Sequence, residues 1–322
     1  MRVIVHIPCL NEEQTLPLVL HDIPKQIAGV DEVIVLVTDD GSKDKTIEIA
    51  KQHGVRHFVC HTRNQGLGRS FHDGVIKALE LGADIFVNTD GDNQYPGDRI
   101  TDLVQPILRG EADIVIADRQ THTIEHFSGG KKWLQWFGSR VVNKAAGTDL
   151  PDAASGFRAY SRESLIQLNT ITRFSYCMET IIQAGNKRLA IASIPITTNA
   201  KTRESRLFKS TGEHVIKSAV AIMRAYLMYK PYIIFGTLGF TLFILGLIPF
   251  ARYLYLLIAD PTPGGHVQSL LVGSILMTGA FLCFVLNIIA DLIRINRILI
   301  EDNLEHTKRM RLDGSGGSTE LS

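Results

Sequence analysis

Short runs rich in Val and Ile, each bounded by turn residues, recur along the first third of the chain: Val3–Ile7, Glu32–Val37, Val55–Cys60, Asp84–Asn88 and Asp113–Ala117. Runs of this length and composition read as buried strands. Amphipathic stretches with helical spacing separate them, and two of these end at Gly54 and Gly82, the left-handed position that glycine fills at least cost. Alternation of this kind predicts parallel strands joined by crossover helices, a doubly wound α/β sheet. Ligands of such sheets sit beyond the carboxyl ends of the strands, where strand order reverses. The middle of the chain is less regular. It suggests a helix near Lys131–Gly147, an irregular stretch over Asp152–Arg158, a helix near Tyr176–Gly185, a strand near Leu189–Ile196 and a polar loop over Asn199–Ser210.

The last third changes solvent. Tyr232–Ala251 and Val267–Ala290 carry no charge, and at about 1.5 Å per residue they span roughly 30 and 36 Å, enough to cross a bilayer. Seven Lys and Arg lie between Lys201 and Lys230, and Arg294, Arg297, Lys308, Arg309 and Arg311 follow the second span, while the connector Ile258–His266 has none. The positive-inside rule then puts both termini and the α/β domain in the cytosol. The expected layout is a cytosolic domain over 1–210, an amphipathic interfacial helix over 211–231, two transmembrane helices over 232–293 with a short connector, and a partly disordered tail over 294–322. A bacterial or archaeal plasma membrane is expected rather than the endoplasmic reticulum.

Composition removes other classes. With 322 residues, 45% hydrophobic and 21% charged, the chain can bury a sizeable core. A net charge of +1 supplies no basic field for nucleic acid. Cys9, Cys60, Cys177 and Cys283 show no paired spacing and read as reduced, buried thiols. The N-terminal apolar run is too short for a signal peptide and reads as a first strand.

Candidate chemistry gathers after the strands. The first runs into Pro8, Leu10, Asn11, Glu12 and Glu13; the second into Asp39-Asp40-Gly41-Ser42; the fourth into Thr89-Asp90-Gly91-Asp92-Asn93-Gln94. Three polar clusters thus fall on one sheet edge. A hard divalent cation takes oxygen ligands together with substrate phosphates, and Asp92, Gln94 and Asp90 offer them. No Gly-rich phosphate fingerprint follows the first strand, which excludes dinucleotide-binding and P-loop readings. Asn64–Arg69 opens a helix after the third strand; it either brings backbone and Arg69 to a phosphate or simply starts the helix. His53, His57 and His61 are four apart, but Gly54 interrupts any shared helix face, so no metal role is expected. Asn287 and Asp291, near the end of the second span, would mark function inside the membrane, but Asp291 is close enough to the cytosolic edge to read as a solvated helix end.

The segments Pro8–Glu13, Asp39–Ser42, Asp90–Gln94 and Asp152–Arg158 resemble, in order and spacing, the family 2 glycosyltransferases with the GT-A fold. Two C-terminal spans narrow the likeness to polyprenyl-phosphate glycosyltransferases, which resemble dolichyl-phosphate mannose synthase. The resemblance implies an α/β GT-A catalytic domain followed by two transmembrane helices. It implies a nucleotide-sugar donor, UDP- or GDP-linked, and a polyprenyl-phosphate acceptor, undecaprenyl or dolichyl; a homo-oligomer is left open. Pro8, Leu10, Asn11, Glu12 and Arg69 would line the nucleotide pocket, and Asp40 would accept a hydrogen bond from the base. Asp90 would contact ribose or sugar, and Asp92 and Gln94, with Asp90, would hold Mg2+ or Mn2+. Arg119 matches a phosphate-binding arginine. Asp152, Gly156 and Phe157 would lie near sugar and acceptor, with Arg203 or Arg206 holding the acceptor phosphate. Here the loop departs from the family pattern, since Glu204 replaces a glycine and Arg206 a lysine. A phosphate monoester is already ionised at neutral pH, so no general base is required and inversion is expected. A polysaccharide synthase would carry a Gln-Xaa-Xaa-Arg-Trp motif; Lys132–Trp136 does not match it. An inactive scaffold of the same fold is countered by the intact Asp90, Asp92, Gln94 and Arg119.

Overall fold

The computed structural model describes residues 1–120, 129–170, 176–200, 220, 223, 227, 229–259 and 267–316. It divides into two units, Met1–Ile222 together with Glu301–Ser322, and Met223–Ile300.

The first unit is built on one sheet. Among the described residues its strands are β1 (Arg2–Cys9), β2 (Glu32–Asp39), β3 (His57–Cys60), β4 (Ile85–Asn88), β5 (Ile114–Asp118), β6 (Arg158–Ser161) and β7 (Ile191–Pro195). Their order is β3-β2-β1-β4-β6-β5-β7. β1 pairs in parallel with β2 from Arg2↔Glu32 to Cys9↔Asp39, and with β4 from Val3↔Ile85 to His6↔Asn88. Strand order therefore reverses between β1 and β4. Val3, Ile4, Val5, Ile7, Ile85, Phe86 and Val87 are fully buried, as expected where helices cover both faces. The stretch from Asp152 to Phe157 is irregular, as expected, and leads into β6, a strand the sequence reading lacked, which runs antiparallel between β4 and β5.

Helices α1 (Leu16–Asp22), α2 (Thr46–Gln52), α3 (Leu67–Glu80), α4 (Ile100–Leu108), α5 (Gly129–Ala146), α6 (Arg162–Gln167) and α7 (Tyr176–Asn186) flank the sheet. Leu16 and Val19 of α1 join Ile100, Leu103 and Val104 of α4 in the core against β1 and β4. On the other face α3 buries Phe71, Gly74, Val75, Ala78 and Leu79, the spacing of one helical stripe. Phe71 stacks on Tyr176 at 3.9 Å and meets Phe86 edge-on at 5.8 Å. Gly74 permits the close approach of α3, since a Cβ there would lie 2.3 Å from His6 Nε2. All four cysteines are free; Cys60, expected buried, is exposed on the edge strand β3.

Helix α8 (Pro231–Ala259) and helix α9 (Val267–Gly316) follow. Both are long and apolar enough to cross a membrane, with mean hydropathy 2.2 and 2.3 in their most apolar windows. Within the second unit they approach closely at small residues: a Cβ on Gly239 would sit 3.1 Å from Cys283, and one on Gly246 3.1 Å from Met277. Asn287 is half-buried there, with its Oδ1 buried and without a hydrogen bond. Helix α9 continues to Gly316. Its last part belongs to the first unit, where Lys308 Nζ donates to the carbonyls of Ile166 and Leu168 at 3.0 and 2.8 Å. A cation there caps the end of α6. Most of 211–228 lies outside the described residues; Val220, Met223 and Leu227 are helical and exposed.

Candidate active site

The β1 and β4 exits, at the reversal of strand order, frame the site. Asn11 follows β1 with φ +57°, a left-handed conformation that Asn tolerates better than most residues. Its amide donates to Ser42 Oγ at 2.8 Å, and its Oδ1 accepts from Lys43 N at 2.8 Å. Glu12 N donates to Thr46 Oγ1 at 2.8 Å, so the loop after β1 is stitched to the loop after β2. Glu12 is buried, and the Thr15 hydroxyl lies 2.8 Å from its Oε2 and 2.7 Å from the Gly91 carbonyl. Gly91 is closely packed: a Cβ there would lie 3.2 Å from Glu12 Cγ and 3.4 Å from the Pro8 carbonyl. Pro8, Glu12 and the Asp90–Gln94 turn are thereby brought together, as the sequence suggested.

Asp40 is held from three sides. It accepts from Gln65 N at 2.8 Å, from Gly66 N at 2.9 Å and from His61 Nδ1 at 2.7 Å. His61 Nε2 lies 3.1 Å from Asp73 Oδ2, which also accepts from Arg69 Nε at 2.7 Å. Within Asn64–Arg69, two amides serve Asp40, and Arg69 Nε pairs with Asp73 while its side chain stays half exposed. A carboxylate offers about four acceptor positions, so Asp40 retains one. Sequence reasoning considered His61 only as a metal ligand and missed this supporting role.

Arg119 and Asp152 form a two-point ion pair, Nε to Oδ2 at 2.6 Å and Nη2 to Oδ1 at 3.0 Å. Asp152 is 1% exposed and Arg119 22%. Burial alone would raise the Asp152 pKa; the Arg119 charge and hydrogen bonds from Arg119 and Ala154 reverse this and hold it below the usual carboxylate value. Gly156 lies beside Asp90, whose two carboxylate oxygens would be 3.4 Å from a Cβ at that position. Its amide donates to Tyr95 OH at 3.2 Å. Burial, with Asp90 adding and Arg119 opposing, pushes the Tyr95 hydroxyl up to about 12. Phe157 is fully buried and stacks on Tyr95 at 5.1 Å.

Below the site runs a buried hydrogen-bonded chain. Asn88 Nδ2 donates to Tyr176 OH at 2.7 Å and to the Gly156 carbonyl at 3.0 Å, which leaves its Oδ1 as the acceptor for His6 Nδ1 at 2.7 Å. His6 Nε2 then accepts from Thr38 Oγ1 at 2.8 Å. Burial lowers the His6 pKa to about 4, partly opposed by Asn88. Arg158, also fully buried, donates to the carbonyls of Ala153, Ser155 and Cys177 and to Thr180 Oγ1. It shapes the 153–155 turn that presents Asp152.

The profile of the family described as glycosyl transferase family 2 matches residues 4–168. The chain belongs to that family. It is similar to the UDP-N-acetylglucosamine–dolichyl-phosphate N-acetylglucosaminyltransferase of Methanococcus voltae, 31% identical over 213 residues, covering 60% of this chain and 83% of the relative. It is similar also to the undecaprenyl-phosphate mannosyltransferase of Micrococcus luteus, 30% identical, covering 61% and 83%. Among solved structures it resembles glucosyl-3-phosphoglycerate synthase from Mycobacterium tuberculosis in complex with Mn2+, UDP-glucose and phosphoglyceric acid, with TM-score 0.52 and 25% identity over 69% of this chain and 79% of that one. The fold of this family 2 member is GT-A.

The turn after β4 carries oxygen-bearing side chains but no closed cage. Among the described residues no group of three or more His, Cys, Asp or Glu could hold a metal ion. Asp90 and Asp92 stand on one turn, and Asn93 Oδ1 is buried there without a partner. Such a donor set fits a cation that completes its shell on substrate phosphates. Arg203 and Arg206 lie outside the described residues.

Proposed function

We propose that this protein is a membrane-anchored glycosyltransferase that moves a sugar from a nucleoside diphosphate donor to the phosphate of a polyprenyl lipid at the cytosolic membrane face. The observation that carries the reading is the meeting of Asp90, Gly156 and the Glu12–Gly91 contact at the β1–β4 reversal, in a family 2 chain with two membrane-length helices. The named activities of the relatives, on dolichyl and undecaprenyl phosphate, support the acceptor class.

Asp40, with one acceptor position left, takes an N–H of the base, and Pro8, Leu10, Asn11 and Glu12 form the nucleotide wall. Asp92 and Gln94, with Asp90, would hold Mg2+ or Mn2+, which offsets the charge of the departing diphosphate when bound. Arg119 adds a second positive charge. Its pairing with Asp152 uses one side of the guanidinium and leaves the outer N–H groups for a phosphate oxygen. Asp152 orients Arg119 and is not assigned as a general base, because both its oxygens are engaged by Arg119 and its lowered pKa makes it a weaker base. None is needed, since a phosphate monoester is ionised near neutral pH. An oxygen lone pair of the lipid phosphate forms the bond to the anomeric carbon. The bond from that carbon to the diphosphate oxygen breaks, and its electron pair leaves with the nucleoside diphosphate. One displacement inverts the centre, and Arg203 or Arg206 aligns the nucleophile. The test is transfer of labelled sugar from a panel of UDP- and GDP-sugars to undecaprenyl and dolichyl phosphate, with stereochemistry read by NMR of the product. A retained anomeric configuration would contradict the single displacement.

A further inference from the structure

We infer that Asn199 is a positioning residue that sets the distance between the two groups that offset diphosphate charge, the Asp92–Gln94 turn and Arg119. The inference rests on the donor-site reading above and adds to it a residue that acts through others.

Two tethers fix the segment after β7. Ile196 N donates to the Asp118 carbonyl at 2.8 Å, one residue before Arg119. Three residues later Asn199 grips the turn after β4 twice: its backbone N–H donates to the Gln94 carbonyl at 2.9 Å, and its Nδ2 donates to the Asn93 carbonyl at 3.1 Å. Residues 196–199 thus form a short strut, bolted at one end to the Arg119 strand and at the other to the proposed metal turn. The gripped turn has reason to need an outside hold. Asn93 sits at φ +58°, a conformation that non-glycine residues adopt at an energetic cost. Its own side-chain oxygen, buried without a partner, does nothing to stabilise it. The bond from Gln94 N to Asp92 Oδ1, at 3.1 Å, closes the turn on itself but does not anchor it to the sheet. The paired donors of Asn199 supply that anchor, and both must be donors because both partners are carbonyl oxygens. An aspartate of the same shape could not take the side-chain role.

This last point gives the test. Calorimetry of the full-length protein with UDP and with GDP, each with and without Mn2+, is compared for wild type, Asn199→Ala and Asn199→Asp, with Asn199→Ser as a milder replacement should either fail to fold. The side-chain bond is worth roughly a threefold to tenfold change in affinity. The metal-dependent gain in nucleotide affinity should fall by about that factor in Asn199→Ala and by at least as much in the isosteric Asn199→Asp. Metal-free nucleotide affinity and the KM for lipid phosphate should stay within about twofold of wild type. The inference is overturned if Asn199→Asp matches wild type, which is the order a packing role gives, or if affinity falls equally with and without Mn2+. Wild-type protein that binds neither nucleotide would instead remove the donor-site reading itself.

Discussion

Arg119 and Asp152 are joined by two parallel hydrogen bonds of 2.6 and 3.0 Å, one partner buried and the other reaching the surface. Removing either leaves an uncompensated charge, and breaking a buried pair of this kind costs about 3–5 kcal/mol; the partial exposure of Arg119 puts this one at or below the lower end. Asp152→Ala should therefore lower the melting temperature as well as activity. Asp152→Asn, which keeps the shape, should retain the fold and lose turnover with donor affinity little changed. The Asp152 pKa is depressed, so its contribution is present above the unfolded carboxylate value and is lost as pH falls below about 4. Wild-type acid unfolding should show this loss, and Asp152→Asn should not.

His6 gives a pH effect in a separate window. Its pKa is about 4 in the fold against about 6.5 unfolded. Between these values the unfolded chain binds the proton and the folded one does not, so stability rises with pH across 4 to 6.5 and is fully present above. The span corresponds to about 3 kcal/mol. His6→Gln, which keeps one donor and one acceptor for Asn88 and Thr38, should flatten this segment of the curve; an unchanged slope would assign it to other groups.

Gly74→Ala should destabilise strongly, because the added Cβ lies 2.3 Å from the His6 ring and overpacking of this kind typically costs 1–3 kcal/mol. His6→Ala removes the obstacle. Denaturant titration of the double mutant should therefore show less loss than the sum of the two single changes.

The strands β1, β2 and β4 were legible because Val and Ile runs leave little else to form, and the polar clusters at their ends mark the candidate site. The two apolar helices were legible from length alone. β6 was not, because it begins with Arg158, a charged residue that no hydrophobic pattern admits to a sheet centre; four acceptors from the 153–155 turn and α7 make that burial tolerable. The chain Thr38–His6–Asn88–Tyr176 was equally hidden, since its members come from four elements far apart in sequence. The full burial of Phe157 was hidden for a related reason: a motif position says that a residue is near a site but not which side of the backbone it occupies. Cys60 is exposed because β3 is an edge strand, a fact of sheet order that local sequence does not carry.

Charge flanking the two long helices gives a topological expectation. Reporters fused at residue 1 and after Leu312 should both face the cytosol, and one inserted within 261–265 should face the opposite side. Termini on opposite sides would mean that one helix does not cross.

The central claim is metal-assisted transfer to a lipid phosphate from the turn after β4. The most direct measurement is formation of sugar–phosphate–polyprenol by the full-length protein in vesicles, with UDP- and GDP-sugars, undecaprenyl or dolichyl phosphate and Mg2+ or Mn2+, for wild type beside Asp92→Ala. The account predicts a glycolipid product that requires both lipid phosphate and divalent cation, and its loss by at least about a hundredfold in Asp92→Ala with the melting temperature unchanged. Near-normal transfer by Asp92→Ala, or no lipid-linked product from wild type with any donor, would contradict it.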